Sequence, residues 1–183
     1  MNKRTERTEN LIYEGLTKAL KVKSYAQITI QDILDNSGVS RSTFYAHFNT
    51  KDELLESICS RIFTHVFSHT LNEEKTHDFS KSSIFEYSHL ITHIFYHIRD
   101  ERDLIDAIFL SQSKDIFVNK MKEELDEFAK ACVNSNFISS KDIPINLHIK
   151  QFKENFIITL EYWQANNYLE SPEQITDYFI KLN

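Results

Sequence analysis

The chain has very little glycine and proline. Its 183 residues include two of each. Sandwiches and barrels built from hairpins need glycine for turns with positive φ, and proline or Asn-Gly at their corners, so the scarcity argues against those all-β classes. Phosphate-binding and dinucleotide-binding loops need closely spaced glycines and are excluded as well, because Gly15 and Gly38 stand far apart. An all-α fold is therefore expected.

Cysteines and long apolar runs are scarce too. Cys59 and Cys132 form neither a C-x-x-C metal pair nor a disulfide framework, which suits a reducing compartment. The charged start leads into no apolar leader, and no run is long enough to cross a bilayer, so we expect a cytoplasmic protein without a membrane partner. Without a nucleophile elbow, a paired acidic motif with a base or a cofactor loop, we expect neither an enzyme nor a cofactor.

The charge is divided unevenly along the chain, although the total is −6. Residues 1–51 carry eight Lys and Arg against five Asp and Glu, a net charge of +3. Residues 52–183 carry 13 against 22, a net charge of −9. The basic N-terminal part suits a polyanionic partner, which the total charge alone would not suggest.

Apolar residues recur at helical spacing along most of the chain and predict about nine helices. The first is predicted at Glu9–Val22, followed by two short helices on either side of Gly38, the second of them at Arg41–His47, and a long helix after Thr50. The remaining predicted helices are Ser82–Arg99, Asp103–Gln112, Ile116–Cys132, Ile145–Ala165 and Pro172–Leu182. The predicted connections are Asn72–Lys81 and Ser135–Pro144.

Capping signals mark where three of these helices begin. Each has Ser or Thr followed three residues later by an acidic residue or glutamine, the pattern of a capping box. The three pairs are Thr29 with Asp32, Thr50 with Glu53, and Ser171 with Gln174. Pro172, directly after Ser171, suits the first position of the final helix.

The two short helices around Gly38 have the pattern of a helix-turn-helix, because only Ser37-Gly38-Val39 connects them. Phe44 and Phe48, four residues apart, would face inward. The outward residues would include a long cation that can reach guanine, small hydroxyls, and phenol and imidazole donors for phosphate oxygens. They are Arg41, Ser42, Thr43, Tyr45 and His47. Lys51 adds a positive charge beside the free N–H groups of the next helix.

By these residues the N-terminal third of the chain resembles the tetracycline-repressor (TetR) family of bacterial transcriptional regulators. The family pattern is present as Thr29, Ile30, Ile33, Ser37-Gly38-Val39-Ser40, Phe44-Tyr45-Ala46-His47-Phe48, Lys51 and Leu54-Leu55. Ser24 stands where the family usually ends its first helix with glycine, so a modest strain in a left-handed cap is expected there. Trp163 and the later Ser171-Pro172-Glu173 are similar to the subgroup that includes dihydroxyacetone-kinase regulators.

The resemblance implies a DNA-binding domain at residues 1–50 and a helical domain for effector binding and dimerisation at residues 51–183. The residues implied to hold phosphates are Thr29, Thr43, Tyr45, His47 and Lys51, and those implied to face base edges are Gln31, Arg41 and Ser42. Lys3 and Arg4 could reach a neighbouring groove. The alternative is that Tyr45 and His47 only pack on the first helix and that Arg41 is a solvated surface charge.

The second part of the chain holds most of the 14 Phe, eight Tyr and one Trp. Such residues are usually core, but they also suit a cavity for an apolar effector, which members of this family commonly have. The residues predicted for that pocket are His93, His97, Phe109, Phe117 and Phe156. Those predicted for a homodimer surface are Leu160, Trp163, Ile175 and Phe179, with a core inside one chain as the alternative.

Histidines recur four residues apart at His89, His93 and His97, and again at His65 and His69. Two such histidines can share a metal ion. A helical wheel instead places the row of three opposite the apolar side of its helix, as a polar face, and neither cysteine nor H-E-x-x-H accompanies it. A metal site, a pocket lining and a hydrated or interhelical face remain open, and no metal is predicted.

The resemblance implies a dimeric repressor that binds a pseudo-palindromic double-stranded DNA operator and is released by a small-molecule effector. The long helix from Lys51 would carry the signal, because it begins at the DNA backbone and continues into the second domain. The alternative is a coactivator or adaptor that acts mainly through protein contact.

Overall fold

The computed structural model of the protein describes residues 3–68, 87–135, 137–138 and 143–183. Over these ranges the chain forms ten α-helices and one 3₁₀ turn, with no β-strand. The predicted all-α fold is therefore confirmed. The connection predicted at Asn72–Lys81, residues 82–86 of the fifth predicted helix, His69 and part of the loop predicted at Ser135–Pro144 lie outside the described residues.

The chain divides into two units, and two helices, α4 (Lys51–Ser68) and α7 (Lys114–Glu124), each have residues in both. The first unit is Met1–Cys59 with Arg102–Asn119, and the second is Ser60–Glu101 with Lys120–Asn183. In chain order, the helices are α1 (Lys3–Leu20), the 3₁₀ turn (Tyr25–Gln27), α2 (Ile30–Ser37), α3 (Arg41–Tyr45), α4 (Lys51–Ser68), α5 (Tyr87–Asp100), α6 (Arg102–Phe109), α7 (Lys114–Glu124), α8 (Asp126–Asn134), α9 (Ile145–Ala165) and α10 (Pro172–Leu182). The boundary predicted after residue 50 stays a prediction.

The predicted caps place the ends of the helices correctly. Thr29 and Asp32 form a reciprocal capping box at the start of α2, and Gly38 ends α2 in the left-handed conformation with φ 70°. Ser171 and Gln174 form the same box at α10, with Pro172 as its first residue. The Thr50 hydroxyl accepts from the N–H of Glu53 (3.0 Å) at the start of α4, but the Glu53 carboxylate accepts from Asn49 instead of Thr50.

The predicted bounds of the first and third helices are wrong, and so is the strain expected at Ser24. The first helix begins at Lys3 and ends at Leu20, so it has already ended when the chain reaches Ser24. Ser24 is extended, with φ −63° and ψ 152°, and precedes the 3₁₀ turn. The expected strain of a left-handed serine is therefore absent, because the 3₁₀ turn replaces a glycine-type helix end. The third helix also ends earlier than predicted, at Tyr45 instead of His47.

The helix predicted at Ile116–Cys132 is two helices, α7 and α8, which raises the number from nine to ten. They meet at Leu125, where ψ is −12°. Phe117, Met121, Leu125 and Ala129 are all fully buried at spacings of four residues. The apolar period thus continues through the bend, which explains why the pattern predicts one helix.

The core of the first unit depends on a close approach of α1 to α2. A Cβ atom on Gly15 would lie 2.7 Å from the carbonyl oxygen of Ile33 and 2.8 Å from the Cβ of Ser37. Both distances are shorter than packed atoms tolerate, so only glycine lets the two helices approach this closely. Ile12 and Leu16 of α1 and Ile33 of α2 are fully buried beside this contact.

Aromatic rings fill the core of the second unit. Phe95 stacks on Phe156 with ring centroids 5.0 Å apart, and Phe95 and Trp163 meet edge to face with centroids 5.6 Å apart. Phe152 and Phe179 form another edge-to-face pair at 4.9 Å. All five side chains are fully buried, so these aromatic residues of α5, α9 and α10 act as packing.

We predict that Gly15→Ala destabilises the protein by about 1–3 kcal/mol, because backbone atoms of α2 cannot yield to the new methyl group. The free energy of unfolding in urea, followed by circular dichroism, measures this loss. Lys18→Ala, at an exposed position of α1, is the control and should change little. A stabilised Gly15→Ala variant would contradict the described α1–α2 contact, since alanine raises helix propensity wherever it fits.

Candidate nucleic-acid interface

A cluster of hydroxyl groups organises the start of α3. The Ser40 side chain caps the helix by accepting from the N–H of Thr43 (3.1 Å). Its Oγ also lies 3.0 Å from the Ser42 Oγ and 2.7 Å from the Thr43 Oγ1. The small hydroxyls predicted at this end of α3 therefore lie together there. Ser42 is exposed and Thr43 is half-buried.

Two phenylalanines fix which side of α3 faces outward. Phe44 is fully buried and Phe48 nearly so, and their ring centroids are 6.0 Å apart. Phe48 also lies 6.1 Å from the ring of Tyr13 in α1. With these rings inward, Arg41 and Tyr45 are exposed, as predicted, and Tyr45 keeps 45% of its surface.

His47 is less exposed than predicted. Its Nδ1 lies 3.2 Å from Glu9 Oε1 of α1, and only 15% of the His47 side chain is accessible. The alternative that His47 packs on the first helix thus describes its position in this structure. The rings of Tyr45 and the neighbouring Phe44 instead meet edge to face, with centroids 5.6 Å apart.

Gln31 and Arg41, both predicted to face base edges, contact each other. The Arg41 guanidinium donates through Nη2 to the side-chain carbonyl of Gln31 (2.8 Å). The Gln31 amide nitrogen donates in turn to Oδ1 of Asp35 (2.7 Å), one turn further along α2. Asp35 was not predicted as part of this site, although its spacing of four residues from Gln31 is the signal for such a pair.

Thr29 is engaged in the cap of α2. Both its N–H and its hydroxyl donate to Oδ2 of Asp32 (2.8 Å each), while Lys23 binds Oδ1 of the same carboxylate (2.6 Å). The hydrogen bond from Lys23, together with those from Thr29, lowers the pKa of Asp32 from 3.8 to about 2. A phosphate contact from the Thr29 hydroxyl would require its proton to leave Asp32.

Lys51 joins the start of α4 to the 3₁₀ turn. Its ammonium donates to the carbonyl oxygens of Tyr25 (2.6 Å) and Ile28 (3.0 Å) and lies 4.3 Å from the centroid of the Tyr25 ring. The Tyr25 hydroxyl donates to Asp52, and burial together with this carboxylate raises the Tyr25 pKa. Because an ammonium has three N–H groups, one remains to Lys51 for a phosphate. No local sequence pattern indicates the contact of Lys51 with Tyr25.

The residues predicted for an effector pocket are divided between the two units. Phe109 and Phe117 lie in the first unit with centroids 6.4 Å apart, whereas His93, His97 and Phe156 belong to the second. Phe156 is fully buried in the aromatic core of its unit.

The histidine row is not a uniform polar face. His93 is fully buried, and its Nε2 lies 2.9 Å from that of His97. His93 is therefore not on a hydrated face, and the interhelical face and the pocket lining stay predictions for it. Within the described residues, no group of three or more His, Cys, Asp or Glu side chains could hold a metal ion.

The four residues predicted for the dimer surface lie in the core of the second unit. Each has 0% of its surface accessible, so none of them can meet a second copy; they are Leu160, Trp163, Ile175 and Phe179. The same two helices expose a different apolar set, Ile158, Tyr162, Tyr178 and Leu182, with exposed fractions between 42% and 53%. We call this set the outer face of α9 and α10. Its tyrosines lie with ring centroids 6.4 Å apart.

Among the helices that the structure describes, none combines the length and the apolar character needed to cross a membrane.

Known protein families match most of the chain. The sequence profile of bacterial regulatory proteins of the tetR family matches residues 12–58. A second profile, for the C-terminal region of a transcriptional regulator, matches residues 85–183. The second match alone covers more than half of the chain.

Three bacterial proteins, each described as an uncharacterized HTH-type transcriptional regulator, are similar in sequence. YxbF of Bacillus subtilis is 32% identical over 81 residues, or 44% of this chain and 21% of that protein. YuxN of the same organism is 24% identical over 143 residues, or 78% and 46%. The protein from Haemophilus influenzae is 27% identical over 124 residues, or 67% and 58%. The chain thus spans less than two thirds of each of these relatives.

Solved structures share the fold. A TetR transcriptional regulator from Streptococcus agalactiae has a TM-score of 0.68 at 24% identity, covering 98% of this chain and 94% of that one. The dihydroxyacetone kinase operon activator DhaS has a TM-score of 0.62 at 16% identity, covering 96% and 93%. The fold is therefore also shared with a regulator from the dihydroxyacetone-kinase subgroup.

We predict that the Asp32 carboxylate stabilises the fold in a pH-dependent way. Because its pKa is lowered from 3.8 to about 2, its contribution is complete above about pH 5 and is lost as the pH falls toward 2. The urea midpoint of the wild type should exceed that of Asp32→Asn by a constant margin between pH 7 and 5, and the margin should shrink by pH 3. Glu14→Gln, at an exposed position of α1, is the control. An undiminished Asp32 margin at pH 3 would refute this role of the capping box.

Proposed function

Because the chain belongs to the TetR family of bacterial transcriptional regulators, we propose that it binds a pseudo-palindromic DNA operator as a homodimer. The observation that carries this proposal is the α2–turn–α3 unit, in which the buried Phe44 and Phe48 turn Arg41 and Tyr45 outward. Members of the family are regulators of transcription, not enzymes. Binding to the chromosome implies a cytoplasmic location.

The geometry of α3 supports the proposed division of contacts. A recognition helix presents its N-terminal residues to base edges, and Arg41 and Ser42 are the first two residues of α3. Tyr45, one turn later, is exposed and able to donate its hydroxyl to a phosphate. Thr29, Thr43, His47 and Lys51 are proposed as further phosphate ligands, most of them after giving up or sharing an internal hydrogen bond.

The outer face of α9 and α10 is the proposed dimer surface, in place of the buried residues predicted from the sequence. Apolar side chains that are half exposed in one chain gain from burial against a second copy. Charged residues such as Asp177 and Lys181, themselves exposed, flank the patch, as polar residues usually rim an interface. Twofold symmetry would place two α3 helices in successive major grooves, about 34–36 Å apart.

A small-molecule effector is proposed to release the DNA. The continuous helix α4 supports this, since Lys51 at its start is a proposed phosphate ligand and its later residues belong to the second unit. A ligand that binds one orientation of α4 more tightly than another shifts the protein toward that orientation. The affinity for DNA then changes to the extent that the ligand distinguishes the two orientations. Repression is the proposed direction. Action as a coactivator through protein contact remains the alternative, and pull-down from lysate without DNA would reveal such a partner.

We predict that Arg41→Ala combined with Tyr45→Phe weakens binding to the preferred duplex about tenfold or more, because one base contact and one phosphate contact are lost. The duplex would be obtained by selection from a randomised library, and the affinity measured by fluorescence anisotropy at several salt concentrations. Lys18→Ala removes one positive charge from an exposed position of α1 and is the matched control. If the control lost as much affinity as the double variant, the effect would come from net charge. Unchanged affinity in the double variant would exclude these contacts.

We predict that Ile158→Asp converts the proposed dimer into a monomer, because the interface would bury a charge on the outer face of α9 and α10. Sedimentation velocity at micromolar concentration measures the change. Ile145→Asp is the matched control, since Ile145 lies on the same helix with 50% of its surface exposed, against 53% for Ile158. It stands 13 residues earlier and so points to the other side of α9. A wild type that sediments as a monomer would exclude the proposed dimer.

A further inference from the structure

Three exposed side chains form a hydrogen-bonded chain across the helix-turn-helix. Asp35 and Gln31 of α2 are joined by a hydrogen bond of 2.7 Å, and Gln31 is joined to Arg41 of α3 by one of 2.8 Å. We call this arrangement the Asp35 relay. The fold does not need it, since all three side chains are exposed and the helices are held together by buried apolar residues.

The chemistry of the two outer residues fixes the orientation of the amide between them. A carboxylate only accepts hydrogen bonds, so Gln31 must present its NH₂ group to Asp35. A guanidinium only donates, so Gln31 must present its carbonyl oxygen to Arg41. Both ends of the Gln31 amide are therefore engaged, each in the one way that its neighbour allows.

This engagement determines which residue can read a base. Glutamine recognises adenine by using its carbonyl and its NH₂ group together, and the Asp35 relay occupies both. Arginine recognises guanine with two N–H groups, and Arg41 uses only Nη2 in the relay, which leaves further donors on the fork.

From this geometry, and on the basis of the proposed DNA-binding function, we infer that Asp35 is a specificity-determining positioning residue. Asp35 holds the Gln31 amide in contact with Arg41. At the base pair that faces these residues, Arg41 therefore recognises guanine, and Gln31 is prevented from recognising adenine.

The charge of Asp35 separates this role from a simple contribution to affinity. An exposed carboxylate beside DNA repels phosphates and weakens binding to every sequence. Removing Asp35 should therefore strengthen binding to DNA in general while it weakens the preference for guanine. Loss of an ordinary DNA ligand would weaken binding instead.

The test is selection from a library of randomised duplexes with the full-length wild type and with Asp35→Ala, Asp35→Asn, Gln31→Ala and Arg41→Ala. Arg41→Ala should abolish a guanine preference at one position of each half-site. At that position, Asp35→Ala should reduce the preference for guanine over adenine about tenfold, because the freed Gln31 amide can then bind adenine. The combined Asp35→Ala and Gln31→Ala variant should lose the gain in adenine binding.

Asp35→Asn supplies the matched control for charge, since asparagine keeps an oxygen that accepts from Gln31 but carries no charge. It should retain the guanine preference while binding all duplexes more tightly than the wild type. Circular dichroism melting of each variant verifies the fold.

The possible outcomes separate the two proposals. If the wild type selects no sequence, the proposed function fails and this inference fails with it. If the wild type selects a motif but Asp35→Ala keeps the same guanine preference, DNA binding stands and the Asp35 relay is overturned. A guanine preference that survives Arg41→Ala would overturn the relay as well.

Discussion

The close approach of α1 to α2 at Gly15 is the contact on which the proposed DNA-facing surface depends. With no Cβ at this position, α2 can place the carbonyl of Ile33 directly against α1. The same helix α1 also contacts the residues that directly follow α3, through Tyr13 against Phe48 and Glu9 against His47. Both α2 and the segment after α3 are therefore positioned against α1, and the left-handed Gly38 sets the turn between α2 and α3. An alteration of the Gly15 contact would shift Gln31 relative to Arg41 without touching either residue.

The polar residues proposed to bind DNA already have partners in the free protein. Lys51 holds two carbonyl groups, Thr29 holds Asp32, and His47 faces Glu9. Hydrogen bonds to DNA would therefore replace internal ones, and such an exchange gains much less free energy than a new bond. The internal bonds also hold the side chains in place, which lowers the entropy that is lost on binding. This combination favours discrimination between sequences over tight binding to any duplex.

Local signals in the sequence predicted the parts of the fold that local physics decides. The cap at Thr29, the stop at Gly38 and the bounds of α9 follow from side-chain capping, backbone conformation and helical periodicity. The bend at Leu125 was missed because the buried period of four residues runs through it.

The parts that were missed depend on contacts between distant residues. The most apolar positions of α9 and α10 were assigned to a dimer, but a helix buries its strongest apolar stripe inside its own chain first. The burial of His93 was not predicted, because a helical wheel shows residue types and not the neighbouring helices. The Asp35 relay needs Gln31 and Arg41 side by side, and that follows only from the crossing of α2 and α3. The fold class and the helix-turn-helix were thus predictable, whereas the partners of individual side chains were not.

The long helix α9 carries apolar residues on two sides, and the second side bears on whether the chain pairs with a second copy. One side, with Phe156 and Trp163, is buried within the unit, where α9 packs against α8 and α10. The other side carries Ile158 and Tyr162, half exposed in the single chain and continuous with the exposed residues of α10. A helix with one apolar stripe is covered by its own core, whereas a second, half-exposed stripe gains free energy if a partner covers it. A copy of the same chain can provide that cover symmetrically, because a twofold axis brings identical patches together. The twofold axis that covers the outer face would then also pair two helix-turn-helix motifs, so the proposed dimer and the proposed operator recognition would depend on one surface.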